Sequence, residues 1–231
     1  MDADAFPDAI RNAKATELDR LGSQQALVAL TDADLDAEQV LRAAARSEHT
    51  ASETFAEWAE SATMDGEGEG EDEATNAAET FAALAEQERD HYDRVVAELD
   101  AESDSGVEFD PDREFDPDGE VDAMHEYLRD LDTTVERAAG LIGRSLASDR
   151  TQLQVVNFFV NAADERRADL FRDLRSDTQA GVSTGTDLLA ARCDGDDWER
   201  ARDVAERTVQ IAYDDYAETL EGMGLDPKPI C

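Results

Sequence analysis

Two glutamates and a histidine stand at positions where helical periodicity predicts apolar side chains. Steps of three and four residues from Leu41 place Glu48 on the apolar seam of one helix. The same steps from Phe81 place Glu88 and His91 on the seam of the next helix. A buried carboxylate is costly unless it is paired or binds a metal ion. Glu88 and His91 are also three residues apart, so both project from the same face of their helix.

A glutamate on one helix that faces a Glu-x-x-His pair on another is half of a di-metal carboxylate site. In such a site the carboxylates neutralise the metal ions, whereas the imidazole supplies a neutral nitrogen ligand. The spacing therefore predicts that Glu48, Glu88 and His91 bind metal. The alternative interpretation is that the seam rotates and these three side chains reach solvent.

The other half of a di-metal site is only weakly represented further along the chain. The seam that includes Leu128 and Leu131 carries no carboxylate, and Asp132 and Glu136 lie only beside it. Residues 165–168, Glu-Arg-Arg-Ala, are where we expect a second Glu-x-x-His, but the histidine is missing. Asp132, Glu136 and Glu165 are therefore weaker ligand candidates.

The two arginines of that tetrapeptide lead to a further hypothesis. Arg166 or Arg167 would pair with Glu48 and Glu88 and replace the metal as counter-charge. A guanidinium group suits this role because it stays ionised and binds a carboxylate through two parallel hydrogen bonds. The alternative is that both are ordinary surface arginines.

A helical framework must position these residues, and the hydrophobic pattern predicts an all-α fold. We expect helices at about Asp4–Leu21, 36–62, Glu73–Leu99, Val121–Leu146, Thr151–Leu174, Thr186–Arg192 and Asp197–Leu220. A turn is expected at residues 148–149, and linkers at 65–71 and 109–118. The two hairpins, 36–99 and 121–174, are predicted to pack as a four-helix bundle. The expected parts are an N-terminal helix and connector (1–35), the bundle (36–175) and a C-terminal helical extension with a tail (176–231).

Around its candidate ligands the chain resembles the rubrerythrin branch of the ferritin-like family. Residues 46–56 look like that family's first ligand helix, with Glu48 at the metal-binding glutamate. Residues 85–91 are similar to its second ligand helix, with Glu88 and His91 as ligands. The resemblance implies a ferritin-like four-helix bundle and a site for iron. The chain departs from the family in its second hairpin, and it has no rubredoxin-like segment with paired cysteines.

The charge balance is strongly acidic. The chain has 58 Asp and Glu against 21 Lys and Arg, a formal net charge of -37, and its only lysines are Lys14 and Lys228. Such a charge opposes folding by self-repulsion, which molar salt screens. The composition therefore predicts adaptation to a salt-saturated cytoplasm, and we expect a halophilic archaeal protein.

Several classes of partner and location are disfavoured by the same sequence. Nucleic acids and anionic membranes require a basic face, which no part of the chain supplies. The longest apolar runs are too short to span a bilayer. The first residues lack the basic and apolar regions of a signal peptide. We therefore expect a cytoplasmic protein with no membrane contact and no direct contact with nucleic acid.

Three functional hypotheses remain at this point. The first is a non-catalytic binding or regulatory scaffold whose di-metal site is partly lost. The alternative is a di-iron or single-metal oxidoreductase of the peroxidase or ferroxidase type. A weaker alternative is a factor associated with transcription antitermination, which would act through a protein partner. The expected cofactor is accordingly none or iron, and the expected partner is another protein or a second copy of the chain.

Overall fold

The computed structural model describes residues 2–64, 71–103 and 121–227, and all regular structure within these ranges is helical. The all-α prediction is confirmed for these residues. The helices are α1 Phe6–Ala13, α2 Ala15–Leu21, α3 Gln25–Leu30, α4 Ala37–Met64, α5 Glu71–Ser103, α6 Ala123–Arg129, α7 Thr134–Asn161, α8 Glu165–Arg192 and α9 Asp197–Gly222. The predicted linkers lie outside the described residues, except Glu71, which begins α5. Cys231 also lies outside them.

The chain divides into two compact units. One consists of Met1–Asp34 together with Asp130–Cys231, and the other is Leu35–Arg129. The predicted division into residues 1–35, 36–175 and 176–231 stays a prediction, and residue 175 lies within α8. The predicted assembly of both hairpins into one four-helix bundle stays a prediction.

The unit Leu35–Arg129 is built on the hairpin of α4 and α5, which the apolar seams predicted within a few residues. The side chain of Asp36 accepts a hydrogen bond from the backbone N–H of Gln39 at 2.8 Å, which caps the start of α4. Trp58 lies in the core, with its ring centroid 5.3 Å from that of Phe81. Its indole N–H donates to the carbonyl of Leu128 at 2.9 Å, so α6 is fixed to the hairpin by a buried hydrogen bond.

The second hairpin, α7 and α8, is displaced along the sequence from the predicted one. The predicted helix from Val121 to Leu146 is interrupted, because Thr133 and Glu136 form a capping box and α7 begins as a separate helix at Thr134. The predicted turn at residues 148–149 is wrong as well. Asp149 lies within α7, where its carboxylate contacts Arg175 of α8 at 2.9 Å. The chain turns instead at residues 162–164, where Ala163 has a φ of +56°.

Glycines explain why α8 runs past its predicted end at Leu174. A Cβ at Gly181 would lie 2.6 Å from Ser145 Oγ, and one at Gly185 would lie 2.7 Å from Ile142 Cγ1. Both glycines therefore permit close approach of α7 and α8 rather than ending a helix. The separate helix predicted at Thr186–Arg192 is the last part of α8.

The N-terminal region forms several short helices instead of one. A 3-10 turn at Ala3–Ala5 precedes α1, and the backbone leaves the helical conformation at Lys14, between α1 and α2. Tertiary contacts favour this break, because the ammonium of Lys14 donates to the side-chain carbonyl of Gln210 in α9 at 2.6 Å. The predicted last helix is confirmed as α9 to within two residues.

Within the described residues, none of the helices is both long and apolar enough to cross a membrane.

Candidate metal site

The facing seams of α4 and α5 bring Glu48, Glu88 and His91 together in the core. These side chains each offer one ligand atom, and the three atoms lie within 4.8 Å of one another. Glu48 is 3% exposed, Glu88 2% and His91 1%. The interpretation in which these residues reach solvent is therefore wrong. Steps of three and four along two seams were sufficient to find all three residues.

The histidine lies between the two carboxylates. Its Nδ1 is 3.5 Å from an oxygen of Glu48 and 3.6 Å from an oxygen of Glu88. Burial alone would lower the pKa of His91, but the two neighbouring carboxylates outweigh burial and raise that pKa to about 10. In the metal-free chain His91 is therefore an imidazolium ion at neutral pH, and it partly neutralises the buried glutamates.

The donor set fits a single divalent ion of the first transition row. Nitrogen and oxygen ligands lie about 2.0–2.2 Å from such ions, so two ligands of one ion are about 3.0–3.5 Å apart. The two separations at His91 Nδ1 are close to this range. Two carboxylates with one imidazole suit iron, manganese or zinc, whereas soft copper(I) prefers sulfur. A bound ion would take the place of the proton on Nδ1.

The weaker candidates are not part of this cluster. Asp132, Glu136 and Glu165 belong to the other compact unit. Glu136 accepts hydrogen bonds from the backbone N–H and the hydroxyl of Thr133 in the capping box of α7. Asp132 is exposed, and so is Glu165, whose side chain is 77% accessible. Among the described residues, only Glu48, Glu88 and His91 form a group that could hold a metal ion.

The two arginines differ in their surroundings. Arg166 is exposed, whereas Arg167 is buried with its guanidinium 3.4 Å from the carboxylate of Asp164 and 5.8 Å from the ring centre of Phe159. The imidazole of His91 is in contact with both buried glutamates. The hypothesis that an arginine pairs with them stays a prediction.

The helices α5 and α8 share a pattern that the sequence prediction missed. Residues 76–99 and 166–189 have the same succession of buried, half-buried and exposed positions, residue for residue. In this register Phe81 corresponds to Phe171 and Leu84 to Leu174. The two Phe-x-x-Leu runs were the available signal in the sequence. This register aligns the Glu-x-x-His pair with residues 178–181, whereas the sequence prediction aligned it with residues 165–168.

The counterparts of the ligands carry no ligand chemistry. Thr178 replaces Glu88, and its hydroxyl donates to the carbonyl of Leu174 at 3.1 Å. Gly181 replaces His91 and allows Ser145 of α7 to approach closely. The helix α8 thus has the same arrangement of buried positions as α5, without the Glu-x-x-His pair.

Comparison with protein-family models, with curated proteins and with solved structures found no match to this chain.

Proposed function

We propose that this chain is a ferritin-like, rubrerythrin-related protein that keeps half of a di-metal carboxylate site. Its helices serve as a non-catalytic binding or regulatory scaffold around that site. The observation that carries the proposal is the cluster of Glu48, Glu88 and His91, three chelating side chains buried on one hairpin. The presence of Thr178 and Gly181 at the corresponding positions of the second hairpin supports the loss of the other half.

The cluster would hold one divalent ion, and iron is the ion implied by the resemblance. When bound, the ion supplies the positive charge that two buried carboxylates require. Glu48 and Glu88 provide oxygen ligands from different helices, so binding would fix α4 against α5. His91 gives up the proton on Nδ1 and contributes a neutral nitrogen. The protein partner or second copy on which a scaffold would act is a prediction, as is a salt-rich cytoplasmic location.

An iron-dependent oxidoreductase is the second candidate. One observation favours it: three protein ligands leave coordination positions of a first-row ion open, as in non-haem iron oxygenases. The scaffold is preferred because the described residues contain no second set of ligands for a partner metal ion.

Metal content tests the proposal directly. The full chain is purified without an affinity tag, loaded with iron(II) in the absence of air, desalted and measured by elemental mass spectrometry. We expect about one ion per chain in the wild type. Glu88→Gln, which keeps the shape but removes the charge, should lose it. The matched control is Glu86→Gln, because Glu86 is exposed on the same helix.

Each other outcome would change the conclusion. Absence of metal from the wild type, or retention of metal by Glu88→Gln, would refute the metal site. Peroxide consumption by the iron-loaded wild type that Glu88→Gln abolishes, with either one or two ions per chain, would favour the oxidoreductase over the scaffold.

A further inference from the structure

A second polar site lies in the unit that does not contain the metal cluster. It is a cavity of about 290 Å³ bordered by α1, α2, α7 and α8. Arg11, Arg150 and Ser145 form part of its lining, and Leu18, Leu146 and Val182 supply apolar walls. Ligand pockets begin at about 300 Å³, so this cavity suits a molecule with only a few carbon atoms.

The cavity is positively charged in a chain that is otherwise strongly acidic. Among the described residues, Arg150 has no acidic partner, and the Asp8 partner of Arg11 is mostly exposed to solvent. The one acidic residue of the lining, Asp149, is already engaged. Its carboxylate contacts Arg175 at 2.9 Å and accepts a hydrogen bond from Gln179 at 2.7 Å. The cavity therefore offers two guanidinium groups without a matching buried carboxylate.

The hydroxyl of Ser145 is the second, independent observation. Ser145 is 1% exposed, yet its Oγ has no hydrogen-bond partner among the described residues. Serines inside helices commonly donate to the carbonyl four residues earlier, and buried polar atoms without a partner are rare in proteins. The neighbouring position on α8 is Gly181, which has no side chain to satisfy this hydroxyl. Ser145 lines the cavity, so rotation about its Cα–Cβ bond would turn this hydroxyl towards a ligand acceptor that satisfies it.

We propose that this cavity binds a short aliphatic carboxylate. The carboxylate group would be held by Arg11 and Arg150, which suit the planar anion through parallel N–H donors, and by the hydroxyl of Ser145. The alkyl chain would pack against Leu18 and Val182. Inorganic phosphate shares the anionic chemistry but has no apolar part to bury, so the apolar walls favour the carboxylate. The site is independent of the proposed metal function.

Butyrate is the probe, with butyramide as its uncharged isostere and inorganic phosphate as a competitor. Binding to the full chain is followed by ligand-observed NMR titration at fixed ionic strength. We expect butyrate to bind in the millimolar range and butyramide at least about tenfold more weakly. Arg150→Gln should weaken butyrate binding about tenfold, and Ser145→Ala about threefold or more. Arg172→Gln is the matched control, because Arg172 pairs with Asp169 on α8 and does not line the cavity.

Several results would overturn this proposal. They are absence of butyrate binding, equal binding of butyramide, unchanged binding in both cavity variants, and tighter binding of phosphate than of butyrate. Thermal unfolding of each variant establishes that it is folded. Ser145→Ala removes a single oxygen atom, so butyrate binding to this variant tests the proposal if Arg150→Gln does not fold. Glu88→Gln should bind butyrate like the wild type, which separates this site from the metal cluster.

Discussion

Close packing of α8 on α7 should make an alanine at Gly185 destabilising, although alanine is the better helix former. A Cβ at this position would lie 2.7 Å from Ile142 Cγ1 and 2.8 Å from the backbone oxygen of Ala138. The backbone oxygen cannot rotate away, so the two helices must separate by several tenths of an ångström. Overpacking of this kind costs about 1–3 kcal/mol, whereas the change from glycine to alanine in a helix gains about 1 kcal/mol. We expect a net loss of up to about 2 kcal/mol in the free energy of unfolding.

Two further glycines provide controls for this prediction. Gly222 ends α9, and no heavy atom lies within 4 Å of the point that a Cβ would occupy there. Gly222→Ala should therefore keep the propensity gain, up to about 1 kcal/mol. At Gly181 the obstructing atom is the Ser145 hydroxyl, a side-chain group that can rotate, so Gly181→Ala should fall between the other two.

Urea unfolding followed by far-ultraviolet circular dichroism measures all three variants. The reasoning would be refuted if Gly185→Ala were as stable as Gly222→Ala, since the two differ chiefly in the close contacts. A changed dependence on urea concentration, instead of a shifted midpoint, would point to the unfolded state.

Four other results are expected. Trp58→Phe should lower the free energy of unfolding by about 1–3 kcal/mol, because the carbonyl of Leu128 loses its buried hydrogen-bond donor. Trp198 is half-buried, so Trp198→Phe should lower it less in the same urea assay. Burial and the nearby acidic side chains raise the pKa of the Cys193 thiol to about 11. In a Cys231→Ala variant, alkylation of Cys193 at pH 8 should therefore be about a hundredfold slower than alkylation of free cysteine, because only the thiolate reacts. The alkylation rate should increase up to about pH 11, and a plateau near pH 9 would contradict this prediction. Iron(II) at about a hundred times its dissociation constant should stabilise the wild type by about 2.7 kcal/mol and leave Glu88→Gln unchanged, as measured by thermal unfolding without air. Raising potassium chloride from about 0.1 M to about 3 M should raise the midpoint of thermal unfolding, because it screens the net charge of -37; a fall would count against salt adaptation.

The first hairpin could be predicted from the sequence because its signals are local and mutually consistent. Apolar residues recur at steps of three and four along α4 and α5, and the only interruptions are the three polar residues that meet in the core. The aspartate that caps α4 also precedes its helix directly. Periodicity therefore gave both the helices and the candidate ligands.

The second hairpin could not be predicted in the same way, because its glycines serve tertiary contacts. Gly181 and Gly185 lie inside α8, where helix propensity alone predicts a boundary. The capping box of Thr133 and Glu136 uses a carboxylate that the sequence offers as a ligand candidate. The cavity between Arg11 and Arg150 joins residues far apart in the sequence, and no spacing rule identifies it.

The correspondence between α5 and α8 limits how a second metal-binding pair could arise in α8. At matching positions of this pattern, α5 has the charged side chain of His91 in the interior, whereas α8 has Gly181, which permits close contact with α7. A histidine at residue 181 alone would clash with Ser145. Chelation there would require several coordinated changes along both α7 and α8. The helix α8 is thus constrained by its packing, whereas under the proposed function one substitution at Glu88 would remove the ion from the first hairpin.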